Sequence, residues 1–289
     1  MTYRDNFPPL GSRRIRVEVR PPTEAELDHM IKSLLDADWN APNSPIQLAD
    51  DLTLDDVKHV LFFDQARQFL RLMDENKGAP LTATGNLNRA YVAQMMDKMD
   101  WPRRLMAKLL SGGLFKVVSE NDVQPLVVIH GVCEYGKLIG KRGSRAFVTS
   151  KGRELLADAQ AGHLYRQLFY TMFRNFDLGY LSIYMPTPAV QDAMAVILWC
   201  LQLAANDWTP LDQLPGKVFP NFVRAHVRAV SPSPDVETWV LQGEVLRPLL
   251  WFGLLEGDHD EELYHGPDAI LKYRKTPLFD RFLSFIYIP

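Results

Sequence analysis

The stretch Tyr135–Leu156, YGKLIGKRGSRAFVTSKGRELL, decides the architecture. Its centre, Gly140-Lys141-Arg142-Gly143, has the GxxG spacing of a loop that clamps nucleic-acid backbone in KH-type domains. In those domains a helix follows the loop. Here the next residues are RAFVT, whose β-branched and aromatic content suits a strand. KLIG before them reads as a first short strand, KRGS as the turn, and SKGRELLADA as a helix start. A hairpin is the reading the residues favour.

Upstream, residues 1–22 read as an arm in which RRIRVEV forms one short strand ended by Pro21-Pro22. Thr23 and Glu26 have capping-box spacing, so a helix is predicted over EAELDHMIKSLLDA. DWNAPNSPIQLADD is a polar, proline-bearing connection. Thr53 is placed as the cap of one long helix, LDDVKHVLFFDQARQFLRLMDEN, with Val57, Val60, Leu61, Phe69 and Leu72 at helical spacing. Leu87, Tyr91, Val92, Met95 and Met99 fall on one face of the next helix, with Asn86 as its expected cap. DVQPLVVIHGVCEYG is a third apolar helix with Pro125 in its first turn. Helices followed by strand, turn, strand and helix are the order of a winged helix.

The second half repeats this order. PAVQDAMAVILWCLQLAAND, LDQLPGKVFP and VETWVLQGEVLRPLLWFG read as three helices. LLEGD and AILKYRKT pair around HDEELYHGPD, and PLFDRFLSF closes as a helix. The cue is a glycine after the long helix, then Leu, strand, wing, strand and Thr: Gly136 and Thr149 in the first half, Gly253 and Thr276 in the second. The expected fold class is mainly α with small β-hairpins, as tandem winged-helix-like units. Its parts are residues 1–52 (arm and helix), 53–160 (first unit) and 161–289 (second unit). The second unit is entered by the aromatic-rich linking helix HLYRQLFYTMFRNF.

A chain of 289 residues with 47% hydrophobic and 23% charged residues has an ordinary globular composition. Its net charge of −3 argues against a dedicated non-specific DNA binder but leaves room for a local basic patch. Cys133 and Cys200 sit singly in apolar runs, which makes neither a disulfide framework nor a zinc set. The N-terminus lacks the apolar core of a signal peptide, and AMAVILWCLQLAA is too short to span a bilayer. The expectation is a cytoplasmic protein without membrane contact.

The segment LTATGNLNRAYV, the wing-like LIGKRGSRAFVTSKGRELLAD and the ending WFGLLE…TPLFDRFLSF resemble a family of uncharacterised bacterial proteins, over roughly residues 55–289. In that family such a segment often accompanies plasmid ORF-three-like domains of mobile elements. The resemblance implies a context of mobile DNA. It brings no established activity and no functional residues, and the ORF-three-like domain is not recognisable here.

The first wing concentrates Lys137, Lys141, Arg142, Arg145, Lys151 and Arg153 within 17 positions, and Arg89, Arg103 and Arg104 are candidates to join them in space. Such a patch suits phosphate contacts; a solvated basic turn is the plainer alternative. The third helices offer few base readers: Gln124, His130 and Glu134 in the first, and Gln242, Glu244 and Arg247 in the second. The second wing is acidic. Asp258, His259, Asp260, Glu261, Glu262 and His265 have metal-ligand chemistry, but a solvated loop accounts for them, so no metal is assigned. His130 and Cys133 share a helix face whose apolar context points to packing rather than a nucleophile pair. No catalytic or cofactor motif is present. The function expected is non-enzymatic: nucleic-acid-associated or regulatory, with a basic wing on DNA or RNA backbone. The rival is a protein-interaction module on the same scaffold. Oligomeric state is left open.

Overall fold

Thr23 and Glu26 do form the reciprocal capping box at the start of α1 (Glu24–Leu35). The computed structural model that shows this describes residues 23–99, 118–182, 187–258 and 270–286. The arm, Arg103, Arg104 and the acidic loop beyond Asp258 therefore lie outside the described residues.

The chain is mainly helical, with small antiparallel sheets. After β1 (Ile46–Leu48), the long helix expected from Thr53 is two helices, α2 (Leu54–Val57) and α3 (Leu61–Glu75). Thr53 caps only the short one, through its own box with Asp56. Val60 is extended (ψ 120°) and opens α3. Val57 and Val60, on either side of the break, are both buried. A Cβ on Gly253 would lie 3.2 Å from Val60 Cγ2, so the two halves of the chain meet at this step.

β2 (Ala79–Pro80) leads to α4 (Arg89–Lys98). All five residues of its predicted face are buried. Its cap is Asn88, whose side chain accepts from the Tyr91 N–H, and not Asn86. α5 (Gln124–Tyr135) carries Pro125 in its first turn, where a missing N–H costs nothing.

The opening stretch is a hairpin. β3 (Ile139–Arg142) pairs with β4 (Arg145–Val148) in the register Ile139↔Val148 and Gly140↔Phe147. Gly143 turns the chain with φ +60°, and a strand, not a helix, follows it. α6 (Ser150–Leu155), capped by Thr149, comes next. β2 pairs with β4 on the other side, so the sheet order is β2-β4-β3.

α7 (Ala161–Arg174) then leads through α8 (Pro188–Asp192) to α9 (Met194–Ala204) and β5 (Thr209–Pro210). α10 (Leu214–Val218) is the short helix expected there. α11 (Asn221–Val230) was not anticipated: it buries Val223 and Val227, one turn apart, while Arg224 meets Glu237 at 3.1 Å. The next long helix is α12 (Val236–Val240), a π-helical segment (Leu241–Leu246) and α13 (Arg247–Trp251). Pro248 explains the widened turn: it has no N–H for the Glu244 carbonyl, and its ring pushes that carbonyl away. β6 (Leu255–Gly257), β7 (Lys272–Lys275) and α14 (Pro277–Phe282) follow. The second sheet has the order β5-β7-β6, matching the first strand for strand.

The correspondence reaches individual hydrogen bonds. At the end of α5 the Leu138 N–H donates to the Cys133 carbonyl at 2.9 Å; at the end of α13 the Leu254 N–H donates to the Leu249 carbonyl at 2.9 Å. Thr149 Oγ1 donates to the Lys137 carbonyl at 2.8 Å, and Thr276 Oγ1 to the Gly253 carbonyl at 2.7 Å. The equivalent of Gly253 (φ +66°) is thus Lys137 (φ +57°), not Gly136 as the sequence cue had it. The second half has the conformationally free residue at this left-handed position and the first half does not.

Two features join the halves. The polar connection after α1 contains β1, which pairs with β8 (Leu283–Phe285) as Ile46↔Phe285 and Leu48↔Leu283. The predicted closing helix therefore stops at Phe282. α7 lies between the units as part of the core. Tyr165 OH donates to the Phe252 carbonyl at 2.7 Å, and the rings of Phe62, Phe169 and Phe282 pack with Phe252 and Tyr165.

Candidate nucleic-acid interface

The six cations between Lys137 and Arg153 are not equally available. Lys141 meets Glu134 at 2.8 Å and Arg153 meets Asp74 at 2.7 Å, so two of the six already have a carboxylate. Arg89 opens α4, exposed, and its field reaches Asp122, whose carboxyl is held low chiefly by the Ser119 hydroxyl. Arg145 is turned inward: Nη2 donates to the Gly78 carbonyl at 2.8 Å, and the guanidinium lies 5.8 Å from the Phe147 ring centroid.

Lys137, Arg142 and Lys151 remain. None has a carboxylate partner among the described residues. Arg142 is exposed at the hairpin tip, opposite Arg145. Lys137 and Lys151 stand together at the root. Lys151 Nζ donates to Gln167 Oε1 at 2.7 Å and lies 3.5 Å from the Gly136 carbonyl oxygen. Partial burial, and next the charge of Lys137, push the Lys151 ammonium below its usual range.

The side chains named as base readers are used elsewhere. In α5, Leu126, Val128, Ile129, His130, Val132 and Cys133 are all buried. His130 Nδ1 lies 2.6 Å from Glu120 Oε1, and the other Glu120 oxygen accepts the Leu87 N–H. This buried bridge, which the sequence did not suggest, ties the start of α4 to α5. His130 is therefore engaged with Glu120, and burial pushes the Cys133 thiol far above its usual range. Glu134 is paired with Lys141. In the second unit Gln242 Nε2 donates to Tyr273 OH at 3.2 Å, and Arg247 Nη1 donates to the Leu181 carbonyl at 3.4 Å. Among the six named residues only Gln124 stands exposed.

Glu244, on the π-helical segment, is 1% exposed. Burial pushes its carboxyl up from 4.5 to about 7, against a smaller opposing pull from the Thr187 hydroxyl; Asp177 adds to the rise. Thr187 Oγ1 lies 2.7 Å and 2.6 Å from the two carboxyl oxygens. One hydroxyl proton serves one contact, and a protonated carboxyl supplies the other. The consequence for stability has a definite sign. Between pH 4.5 and about 7 the folded chain keeps a proton that the unfolded chain has released, so this contribution is full below pH 4.5 and is lost as pH rises to about 7. The loss is on the order of 3 kcal/mol. Chemical denaturation of wild type and Glu244→Gln from pH 4.5 to 8 should show the wild type losing stability relative to the variant over that window. Parallel profiles would mean that Glu244 is ionised throughout.

No helix among the described residues is long and apolar enough to cross a membrane. The described residues contain no group of three or more His, Cys, Asp or Glu suited to a metal ion.

The fold and site thus define a helical protein with two small three-stranded sheets and a partly neutralised basic hairpin. Residues 58–161, from the end of α2 to the start of α7, match the family model described as the Y4jL N-terminal domain. An uncharacterized protein, y4jL of Sinorhizobium fredii (strain NBRC 101917 / NGR234), is 27% identical over 168 residues, covering 56% of this chain and 70% of that protein. These likenesses support kinship with an uncharacterised bacterial family. No solved structure matches the chain.

Proposed function

We propose that the two units are winged-helix-like and that the protein is a non-enzymatic, nucleic-acid-associated or regulatory factor that contacts phosphate backbone through the first hairpin. The described elements of the first unit run helix, strand, helix, helix, strand, strand with the last strand central, and the second unit keeps that sheet order with one further helix between β5 and β6, which supports the winged-helix reading. One observation carries the function: Lys137, just before the hairpin, Arg142 at its tip and Lys151 in the helix after it have no carboxylate partner among the described residues. The buried face of α5 removes base readout, so binding is of the backbone type, with little sequence preference and steep salt dependence. The resemblance to segments that accompany mobile-element domains is in keeping with a DNA-associated role. On this reading residues 53–160 form the binding unit.

Gel-shift titrations at two salt concentrations test it. Lys137→Ala, Arg142→Ala and Lys151→Ala together should weaken binding evenly across sequences. Each lost phosphate contact should flatten the slope of log affinity against log salt by about one unit. Lys141→Ala and Arg153→Ala should do much less, because Glu134 and Asp74 already neutralise those side chains. The buried face of α5 equally suits a protein-interaction module on the same scaffold. Absence of any shift by wild type at low salt would favour that reading instead.

A further inference from the structure

The fold leaves two tyrosines out in solvent, one of them close in the chain to Lys137 of the lysine pair. Tyr135, the last residue of α5, is 59% exposed, and Tyr180 is 68% exposed. Both rings rest on Phe176, which is itself buried. Tyr135 meets Phe176 edge-on, with centroids 6.4 Å apart and planes at 78°. Tyr180 meets it at 5.9 Å and 43°. Phe176 is seated against bare backbone: a Cβ on Gly131 would lie 2.8 Å from Phe176 Cε2. One fixed ring therefore positions two exposed ones. Tyr135 is followed by Gly136 and Lys137, and Lys151 Nζ approaches the Gly136 carbonyl, so the lysine pair follows directly on the Tyr135 end of this aromatic cluster.

We infer that this surface takes single-stranded nucleic acid, with bases stacking on Tyr135 and Tyr180 and phosphates on Lys137 and Lys151. The inference rests on the backbone-contact reading above and names the class of strand. Exposed aromatic rings accept any unpaired base face, whereas the bases of a duplex are already stacked on one another. An aromatic platform without cations would suit an apolar peptide; the lysine pair favours a polyanion.

The test is fluorescence anisotropy of a labelled oligothymidylate and of a labelled duplex of equal length. The proteins are wild type, Tyr135→Ala/Tyr180→Ala, Tyr135→Phe/Tyr180→Phe and Lys137→Ala/Lys151→Ala. We expect wild type to prefer the single strand. The alanine pair should lose roughly tenfold in single-strand affinity for each tyrosine, with duplex affinity unchanged. The phenylalanine pair should keep single-strand affinity, which separates stacking from hydroxyl contacts and guards against misfolding of the alanine pair. The lysine pair should lose affinity for both probes. If wild type binds and the alanine pair binds the single strand equally well, stacking is wrong while the backbone reading stands. If wild type binds neither probe, both readings fail.

Discussion

Replacing Phe252 by alanine is expected to cost about 4 kcal/mol and to lower the melting temperature of the whole chain in one cooperative step. Phe252 is completely buried where the two units and α7 meet. Its ring packs on Phe62 of the first unit at 4.9 Å and on Phe169 and Tyr165 of α7 at 5.4 and 5.6 Å. Truncation leaves a cavity lined by rings from α3 and α7, and stiff aromatic side chains close such a cavity poorly. The single-step expectation follows from the shared core: each unit buries part of its apolar surface on the other. Differential scanning calorimetry decides it. Two resolved transitions, with only the later residues destabilised, would show that the units fold independently.

Gly162→Ala should be nearly as damaging, at about 3 kcal/mol, although alanine is the better helix former. Gly162 lies in the first turn of α7, against the chain entering α2. A Cβ there would stand 2.3 Å from the Asp50 carbonyl oxygen, 2.6 Å from that of Leu52 and 2.7 Å from the Leu52 nitrogen. All three are backbone atoms, so no side chain can swing aside, and α7 or the 50–52 segment has to move. Gly216, in α10, is the matched control. A Cβ there meets nothing within 4 Å, and Gly216→Ala should be neutral or stabilising by a few tenths of a kcal/mol to about 1 kcal/mol. Urea denaturation of both variants tests the pair. Equal effects would mean that the close approach of α7 to residues 50–52 is not maintained in solution.

Local features were legible in the sequence because their causes lie within a few residues. The capping box of α1, the buried stripe of α4, Pro125 in the first turn of α5 and the strand–turn–strand of 139–148 each depend on propensity, period or turn chemistry. The run of six cations between Lys137 and Arg153 was legible too, but their availability was not. Arg153 is neutralised by Asp74, 79 positions away, and Arg145 is held by a carbonyl 67 positions away. The pairing of β1 with β8 joins Ile46 to Phe285, and nothing near IQL announces a partner at the far end of the chain. The break before α3 falls in LDDVKHVLFF, which has no glycine or proline to announce it. The sequence by itself determined most of the helices, the residues that turn the hairpin and which faces are apolar, since backbone sterics and side-chain period act locally. Only the tertiary structure decided which charges stay free, which tyrosines remain in solvent and that the halves share one core, because each depends on a partner that folding alone brings within reach.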